Sequence, residues 1–263
     1  MYMAELKQYF NSENFALYHG DCLEVLPELP QDSINMIFAD PPYNLSNGGV
    51  TCKSGKFVSV NKGAWDKSQG FFKDFQFTTK WLNECKRVLA PNGTIWVSGT
   101  PHNIYSVGFA LQQLGFHVLN EISWFKPNAS PNLSCRYFTH SHETLIWAKK
   151  DKSARHKFNY DAMRFWRADI INKTGKQMRS VWTIHSTPQA EKQHGYHPTQ
   201  KPIDLLTRIV ASCTDKGDLI LDPFNGSGTT GVIAKKLGRK YIGIEKEREY
   251  IDLTVRRANE FQK

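Results

Sequence analysis

The sequence predicts a doubly wound α/β fold, in which a mostly parallel sheet carries helices on both faces. Short apolar runs alternate with stretches of helical periodicity over most of the chain. Two of the apolar runs end in an Asp followed by Pro, at Asp40-Pro41 and at Asp222-Pro223. With 263 residues, the chain is long enough to bury a sizeable core between such layers.

Periodicity and turn residues place the individual elements. Short runs rich in β-branched and aromatic residues predict strands at 15–18, 34–39, 94–98, 116–124, 143–148, 219–221 and 241–244. Apolar residues three and four apart, closed by Gly or Pro, predict helices at 22–29, 75–89, 103–114, 202–213 and 229–237. The 18 residues after Glu245 leave room for one more helix. Because strands alternate with helices, we expect most strands to be parallel and covered on both faces.

The composition is typical of a globular protein outside the membrane. Hydrophobic residues make up 40% of the chain, and no run approaches the roughly 20 apolar residues that span a bilayer. The first ten residues lack the apolar core of a signal peptide, so we expect a cytoplasmic protein. The five cysteines have no paired spacing, which indicates neither a zinc site nor a disulfide framework. We expect no metal.

The positive charge is concentrated in one part of the chain. The net charge is +9. The stretch from Lys149 to Lys201 contains twelve basic and four acidic residues. This concentration indicates a polyanionic partner such as nucleic acid, with a solvated surface lobe as the alternative. We interpret 149–196 as a basic target-recognition region inserted into one catalytic and cofactor-binding domain, formed by 1–148 and 197–263 together.

The tetrapeptide Asp40-Pro41-Pro42-Tyr43 follows the apolar run 34–39 and is the strongest candidate for a reacting site. Two successive prolines cannot continue a sheet ladder, so the chain leaves the strand in a fixed direction. A carboxylate and a backbone carbonyl then lie beside an aromatic ring, which suits the amino group of a planar base. A simple turn is the alternative, since Asp-Pro often opens one. The glycine- and serine-rich stretch 44–70 is interpreted as a mobile loop that carries Trp65.

A second site is predicted at a glycine-rich turn between a strand and a helix. Residues 222–231 contain the spacing G-x-G-x-x-G, and Glu245 follows Gly226 by 19 residues at the end of the next strand. Glycines let a ligand approach the backbone, and the acid binds ribose hydroxyls. A dinucleotide would need a second β-α-β half, for which the chain after Glu245 is too short. S-adenosylmethionine needs one such unit, so we favour it as the cofactor.

The two sites together predict methyl transfer to the exocyclic amine of a base. Ligands of open α/β sheets bind beyond the carboxyl ends of the strands, where Asp40 and Asp222 both lie. Hydrogen bonds from the amine to the Asp40 carboxylate and the Pro41 carbonyl would localise its lone pair for attack on a methyl group. Tyr43 would stack on the base, which must be extruded from a duplex or be unpaired.

At this point the chain resembles the β-type DNA adenine-N6 methyltransferases, in particular those of DpnII-type restriction–modification systems. The likeness covers nearly the whole chain, with the tetrapeptide first, the recognition region in the middle and the cofactor loop last. The motifs that carry it are Phe38-Ala39-Asp40-Pro41-Pro42-Tyr43, Ser46-Asn47-Gly48-Gly49, the segment 131–141 (PNLSCRYFTHS), His197-Pro198-Thr199-Gln200-Lys201-Pro202 and the segment 221–230 (LDPFNGSGTT).

The resemblance implies the S-adenosylmethionine-dependent methyltransferase fold, an adenine within GATC as target, and action on single-stranded as well as double-stranded DNA. It also implies contacts of residues 19–21 with the cofactor adenine and of Lys201 and Thr199 with its methionine end. A homodimer and a cognate restriction endonuclease are the further partners that we expect beside DNA.

The predicted site residues form three groups. The catalytic residues are Asp40, Pro41, Pro42 and Tyr43. The cofactor-binding residues are Asp21, Cys22, Asp40, Thr199, Lys201, Asp222, Phe224, Asn225, Gly226, Ser227, Gly228, Thr229 and Glu245. The DNA-binding residues are Arg136, Tyr137, Lys149, Lys150, Lys152, Arg155, Lys173, Lys176 and Arg179. Arg136 and Tyr137 could equally pack in the interior, and His197 is interpreted as structural.

Three alternatives remain open. Cytosine-N4 methylation uses the same amine chemistry, although an initial Asp in the tetrapeptide favours adenine within this family. The chain could also be a non-catalytic nucleic-acid-binding protein that retains the fold. An NAD-dependent oxidoreductase is the third alternative, but it would need a second β-α-β half of the dinucleotide-binding fold, for which the chain after Glu245 is too short. Cytosine-C5 methylation is disfavoured because no cysteine follows a proline.

Overall fold

Residues 8–46, 50–53, 56–59 and 63–260 are described by the structure, a computed structural model. The strands in chain order are β1 (Gln8–Ser12), β2 (Phe15–His19), β3 (Ile34–Ala39), β4 (Val50–Lys53), β5 (Lys56–Ser59), β6 (Leu89–Gly99), β7 (His117–Phe125), β8 (His142–Lys149), β9 (Val181–Thr183), β10 (Leu219–Asp222) and β11 (Lys240–Glu245). The helices are α1 (Cys22–Val25), α2 (Phe71–Val88), α3 (Ile104–Gln113), α4 (Tyr160–Arg164), α5 (Ile203–Cys213), α6 (Thr229–Lys236) and α7 (Arg248–Glu260).

The central sheet has nine strands in the order β1-β2-β11-β10-β3-β6-β8-β7-β9. In this order, the four pairings between β2 and β6 are parallel. β8 is antiparallel to both of its neighbours, and β9 is parallel to β7. The next strand of the main sheet after β3 along the chain, β6, lies on one side of the β3–β10 pair, and β11, which follows β10, lies on the other, so the topological switch point lies between β3 and β10. The prediction of a doubly wound, mostly parallel sheet is confirmed.

Two apolar clusters cover the faces of the sheet. On one face α1, α2 and α3 bury residues such as Trp81, Leu82 and Leu111, and on the other α5, α6 and α7 bury residues such as Leu206 and Ile233. All five of these side chains are 0% exposed, as expected for parallel strands covered on both faces. The prediction that Trp96, Trp124 and Trp147 are core residues is confirmed, because each is at most 5% exposed.

The structure contains strands that periodicity did not predict. β1 is an edge strand in which every residue is partly or fully exposed, and β9 has only three residues. β9 lies within the predicted inserted region 149–196, yet it pairs with β7 and completes the main sheet. In the predicted mobile loop, β4 and β5 form a separate antiparallel hairpin, while residues 47–49, 54–55 and 60–62 of that loop lie outside the described residues.

The antiparallel strand β8 decides which polar segments share an edge of the sheet. Its first residues pair with the carboxyl end of β6 (Gly99 with Thr144), and its last residue, Lys149, pairs with Thr94. Residues that follow Lys149 therefore begin at the edge opposite to the carboxyl ends of β3 and β10. Within the described ranges, none of the helices has the length and apolar character needed to cross a membrane.

Candidate active site

The carboxyl ends of β3 and β10 bring the two predicted sites together. Ile220 pairs with Met36 and Leu221 with Ile37, in parallel register. Since Asp40 directly follows β3 and Asp222 ends β10, both carboxylates lie at the same edge of the sheet. They line one cavity of about 590 Å³, a volume within the usual range of ligand pockets. The expected juxtaposition of tetrapeptide and glycine loop is confirmed.

Both carboxylate oxygens of Asp40 accept hydrogen bonds from within the protein. Oδ1 accepts from the Tyr43 hydroxyl at 2.5 Å, and Oδ2 accepts from the Lys201 ammonium at 2.5 Å. The Asp40 side chain is 14% exposed and that of Lys201 is 6% exposed. Burial opposes the charge on Lys201, but Asp40 and then Glu143 raise the pKa of the ammonium above its usual value. The predicted catalytic carboxylate is therefore held in a buried ion pair.

The Tyr43 hydroxyl connects Asp40 to two neighbouring strands. It lies 2.8 Å from Ser98 Oγ near the end of β6 and 3.3 Å from Glu143 Oε2 at the start of β8. Burial, followed by the charges of Asp40 and Glu143, raises the pKa of Tyr43 well above its usual value, so the hydroxyl stays protonated. The ring is 5% exposed and lines the cavity, with the Lys201 ammonium 5.1 Å from its centre.

Glu143 is a second buried carboxylate beside the tetrapeptide. Its Oε1 is hydrogen-bonded to Lys126 Nζ, and its Oε2 lies 3.8 Å from Lys201 Nζ. Burial alone would raise the pKa of Glu143, but Lys201 and Lys126 hold it below the usual value. Two carboxylates and two ammonium groups thus form a balanced network around Tyr43.

The chain that leaves the tetrapeptide wraps around a third carboxylate, Asp66. The backbone N–H groups of Tyr43, Asn44 and Leu45 donate to it at 2.8, 2.9 and 3.0 Å, and Ser46 Oγ donates at 3.0 Å. Asn44 has a positive φ of 60°, so successive N–H groups converge on one anion in the manner of a backbone nest. Asp66 is 1% exposed. This contact fixes the direction in which the chain leaves the strand end.

The glycine loop between β10 and α6 is held by the last helix. Asn225 Nδ2 donates to Thr254 Oγ1 at 2.8 Å, and the Arg257 guanidinium donates to Ser227 O at 2.6 Å. Gly228 has a φ of 72°, and a Cβ atom there would lie 2.3 Å from a Thr254 methyl group. Only glycine therefore permits this close approach of the loop to α7.

Glu245, at the end of β11, closes the loop from the other side. Its carboxylate accepts from Gly226 N at 2.7 Å and from Glu247 N at 2.8 Å. Burial raises the pKa of Glu245 to about 7 against these backbone hydrogen bonds. The same cause raises the pKa of Asp222 to about 7, although Thr230 and Phe224 donate hydrogen bonds to it.

Comparison with known proteins agrees with this geometry. A family model described as DNA methylase, of the N6/N4 type, matches residues 34–256. The chain belongs to the DNA methylase family. Type II methyltransferase M2.DpnII of Streptococcus pneumoniae is 54% identical over 252 residues, which cover 95% of this chain and 92% of that protein. M2.MboI of Moraxella bovis is 48% identical over 257 residues, which cover 97% and 92%.

Solved structures give this DNA methyltransferase the fold of S-adenosylmethionine-dependent enzymes. The M1.HpyAVI–SAM complex matches with a TM-score of 0.66 at 28% identity, covering 93% of this chain and 99% of that one. The cytosine-N4-specific PvuII DNA methyltransferase matches with a TM-score of 0.74 at 20% identity, covering 96% and 89%, which shows the fold alone. S-adenosylmethionine is the methyl donor, and the likeness to DpnII-type enzymes supports adenine N6 as the acceptor.

The residues of the methyltransferase cavity fit a cationic nucleoside cofactor. The carboxylates of Asp40, Asp222 and Glu245 are among those that line the cavity, and the charges of Asp40 and Glu245 both oppose ionisation of Asp222. A positively charged sulfonium compound would offset that repulsion. Gly226 presents bare backbone to the cavity, and a Cβ atom there would lie 3.2 Å from the His197 ring. When bound, the cofactor supplies an electrophilic methyl group.

The other predicted cofactor residues also line this cavity. Asp21 caps α1 by accepting from Leu23 N at 3.0 Å, and it pairs with Lys246 at 3.0 Å. Within the described part of the chain, the predicted residues that line the cavity are Asp21, Cys22, Asp40, Thr199, Lys201, Asp222, Phe224, Asn225, Gly226, Ser227, Thr229 and Glu245. Gly228 shapes the loop through its contact with Thr254, as described above. Their assignment as cofactor ligands stays a prediction.

The structure separates the predicted DNA-binding residues into three places. Arg136 and Tyr137 are exposed on the segment 126–141, which follows β7 at the edge where the tetrapeptide lies, so they do not pack in the interior. Lys173, Lys176 and Arg179 are exposed on the segment that leads into the edge strand β9. The remaining four residues lie at or just after the end of β8, at the edge of the sheet opposite to the cavity: Lys149, Lys150, Lys152 and Arg155.

Two of the lysines at that opposite edge, Lys149 and Lys150, already have partners in the protein. Lys149 Nζ donates to the carbonyl groups of Lys152 and Ala154 at 2.9 and 2.8 Å. Lys150 Nζ forms an ion pair with Asp32. The structure therefore does not bring these residues to the target base, and their contact with DNA stays a prediction without support from their position.

Sequence reasoning missed the residues that hold the tetrapeptide in place: Ser98, Glu143, Lys126 and Asp66. A signal was present for two of them. Ser98 lies near the carboxyl end of a predicted parallel strand, and Glu143 opens an otherwise apolar strand. Asp66 lies in a loop without periodicity, so the sequence did not predict that its carboxylate binds the backbone after the tetrapeptide.

Proposed function

We propose that this DNA methyltransferase transfers a methyl group to N6 of adenine within GATC, in single-stranded as well as double-stranded DNA. The observation that supports this chemistry is that Asp40 and the glycine loop line the same cavity. The target sequence and the tolerance of single strands rest on the resemblance to DpnII-type enzymes. A cytoplasmic location belongs to the same proposal, because DNA is the substrate.

In this mechanism, the chain's own residues orient the target amine. The Asp40 carboxylate and the Pro41 carbonyl each accept a hydrogen bond from one N–H of the target amine, so that the nitrogen lone pair is localised. When bound, the cofactor would supply a methyl group to this lone pair, and the electrons of the broken C–S bond would stay on sulfur. The amine proton then passes to water. The main contribution of the protein is the orientation of the reacting atoms.

The DNA substrate would approach the edge of the sheet where the strands end in the cavity. A base within a duplex cannot reach Asp40, so the adenine must be extruded or unpaired. Arg136 and the 61%-exposed Tyr137 lie on the segment after β7 at this edge, next to Phe138, which is 97% exposed. We assign these two residues to DNA contact. We propose Lys173, Lys176 and Arg179 as contacts to the phosphates on their charge and exposure alone, because they precede β9, which is parallel to β7, and so lie toward the opposite edge of the sheet.

The decisive experiment incubates the protein with tritiated S-adenosylmethionine and oligonucleotides with and without GATC, in single- and double-stranded form. Digestion to nucleosides then identifies the methylated base. We expect N6-methyladenine in both GATC forms and none without GATC. Label in N4-methylcytosine would refute the adenine assignment, and label in no oligonucleotide would refute the enzymatic function.

Removal of the Asp40 carboxylate tests the mechanism. Asp40→Ala is expected to lower the transfer rate below one hundredth, while the affinity for S-adenosylmethionine changes only a few-fold. Asp151→Ala is a matched control, since Asp151 also accepts several hydrogen bonds but lies at the opposite edge. Retention of activity by Asp40→Ala would contradict the mechanism.

A homodimer and a cognate endonuclease complete the proposal. Support for the dimer comes from an exposed aromatic cluster on α2 and α3, in which Phe71, Phe72, Tyr105 and Phe109 are each at least 63% exposed. Sedimentation velocity of the wild type and of Phe72→Asp tests it, with a shift to monomer expected for the variant. The relatives named as type II methyltransferases support a partner endonuclease of the same target sequence.

A further inference from the structure

The Lys201 ammonium occupies the acceptor that the proposed reaction needs. It lies 2.5 Å from Asp40 Oδ2 and 5.1 Å from the centre of the Tyr43 ring. The ammonium thus contacts both the Asp40 carboxylate and the Tyr43 ring, the two groups that the proposed mechanism assigns to the target base. A carboxylate paired with an ammonium is a weaker acceptor for an amine, because the cation already draws on its charge.

Glu143 offers the same ammonium a second anionic partner. Its Oε2 lies 3.8 Å from Lys201 Nζ, so an approach of about 1 Å would bring the pair to the usual length of a charged hydrogen bond. Lys201 Nζ also has Thr199 O at 3.4 Å as a partner that need not change. The ammonium therefore lies between two carboxylates and is closer to Asp40 in this structure.

The surroundings of Glu143 keep its carboxylate charged and in place. Lys126 Nζ is bonded to the other oxygen, Oε1, and lies 4.4 Å from the centre of the Trp124 ring. The Tyr43 hydroxyl lies 3.3 Å from Oε2. Glu143 is held on both sides, and Lys201 is the cation of the network that lies within 4 Å of both carboxylates.

We propose that Glu143 is a positioning residue for methyl transfer: it draws the Lys201 ammonium off Asp40 when the target base enters, which frees the Asp40 carboxylate to accept the amine. This inference rests on the proposed function, because it concerns the same Asp40 acceptor. Lys201 serves as a placeholder for the amine in the absence of DNA. Lys126 keeps Glu143 ionised, so that the second carboxylate is ready to receive the ammonium.

The test measures whether the protein recognises the amine of the target base. Wild type and variants bind duplexes that carry either adenine or purine at the target position, in the presence of S-adenosylhomocysteine, and fluorescence anisotropy gives both affinities. Purine lacks the 6-amino group, so the ratio of affinities reports the hydrogen bond to Asp40. We expect the wild type to prefer adenine about tenfold, as for a hydrogen bond to a charged group.

The variants separate the effect of Glu143 from general damage. Glu143→Gln keeps the size of the side chain but loses its charge, so Lys201 stays on Asp40 and the preference for adenine is expected to fall below twofold. Glu143→Asp restores the charge and at least part of the preference. Glu121→Gln, an exposed position on the adjacent strand β7, is the control and keeps the wild-type ratio.

Dependence on Lys201 is the distinguishing feature of the proposal. In a Lys201→Met background, with S-adenosylhomocysteine at a concentration that saturates each variant, Asp40 is not covered, so Glu143→Gln is expected to change the ratio less than twofold there. Equal losses of affinity for adenine and purine, an unchanged ratio in Glu143→Gln, or an equal fall in both backgrounds would overturn the proposal. Thermal unfolding of each variant confirms that it folds, and Glu143→Ala, which also lacks the charge, replaces Glu143→Gln if the latter does not fold.

Failure of the proposed function has a different signature. If the tritium assay shows methylation of cytosine, the adenine assignment fails. The same variants are then compared on cytosine and 2-pyrimidinone, which lacks the 4-amino group. The role of Glu143 is thereby tested whichever amine the enzyme methylates.

Discussion

The carboxylate of Asp66 accepts a hydrogen bond from the backbone N–H of Tyr43 at 2.8 Å, although the two residues are 23 positions apart in the sequence. Asn44, Leu45 and Ser46 donate to the same carboxylate. A single side chain of the loop thus binds four donors, one in Tyr43, the last proposed catalytic residue, and three in the residues directly after it. The loop is consequently part of the construction of the site.

Asp66→Ala removes these four hydrogen bonds to the Asp66 carboxylate, including the one from the buried backbone N–H of Tyr43. We expect the free energy of unfolding to fall by about 2–4 kcal/mol and the transfer rate to fall more than tenfold. Urea unfolding and single-turnover methylation measure the two effects. Asp151→Ala, at the opposite edge of the sheet, is the control and should leave the transfer rate unchanged. A fully active Asp66→Ala would mean that the tetrapeptide holds its conformation without this contact.

Gly228→Ala tests the close approach of the cofactor loop to α7. The added Cβ would lie 2.3 Å from Thr254, whose hydroxyl binds Asn225 of the loop. Overpacking and a positive φ together are expected to cost about 2–4 kcal/mol and to weaken cofactor binding. Gly175→Ala has a similar φ of 82° but nothing within 4 Å, so it isolates the backbone strain. Equal destabilisation of the two variants would show that contact with Thr254 is unimportant.

The pH dependence of cofactor binding follows from Glu245. Burial raises the pKa of Glu245 to about 7, so the carboxylate is largely protonated below this pH and ionised above it. If ribose hydroxyls donate to the ionised form, cofactor affinity must increase as the pH rises through about 7 and level off above it. Isothermal titration between pH 6 and 8.5 measures this slope. Glu245→Gln should bind more weakly and show a smaller slope, since Asp222 also titrates near pH 7. An identical slope in both proteins would exclude Glu245 as its source.

The salt dependence of DNA binding distinguishes the two edges of the sheet. Arg136 is exposed beside the cavity edge, and its change to Ala should reduce the slope of log K against log[salt] by about one. The double variant Lys152→Ala/Arg155→Ala removes two exposed charges at the opposite edge and should leave the slope unchanged. The reverse result would place the DNA across the edge that holds Asp32 and Lys150.

Local patterns in the sequence were sufficient for the α/β class and for the two motifs at the site. The tetrapeptide and the glycine loop each combine a strand end with residues of restricted or unusual backbone freedom, and such signals act over a few residues. The edge strands β1 and β9 were missed because they are short and half exposed. The charge of 149–155 was apparent, but the edge on which it lies depends on the direction of β8.

By itself, the sequence determined that strands alternate with helices, that Asp40 and Asp222 end buried strands, and that a glycine loop precedes a helix. Only the tertiary structure decided which distant side chains meet at those strand ends. Lys201 lies 161 residues from Asp40, and Glu143 lies 100 residues from Tyr43. Hydrophobic periodicity specifies which face of an element is buried, whereas strand order and direction, which result from packing the whole chain, specify its neighbours.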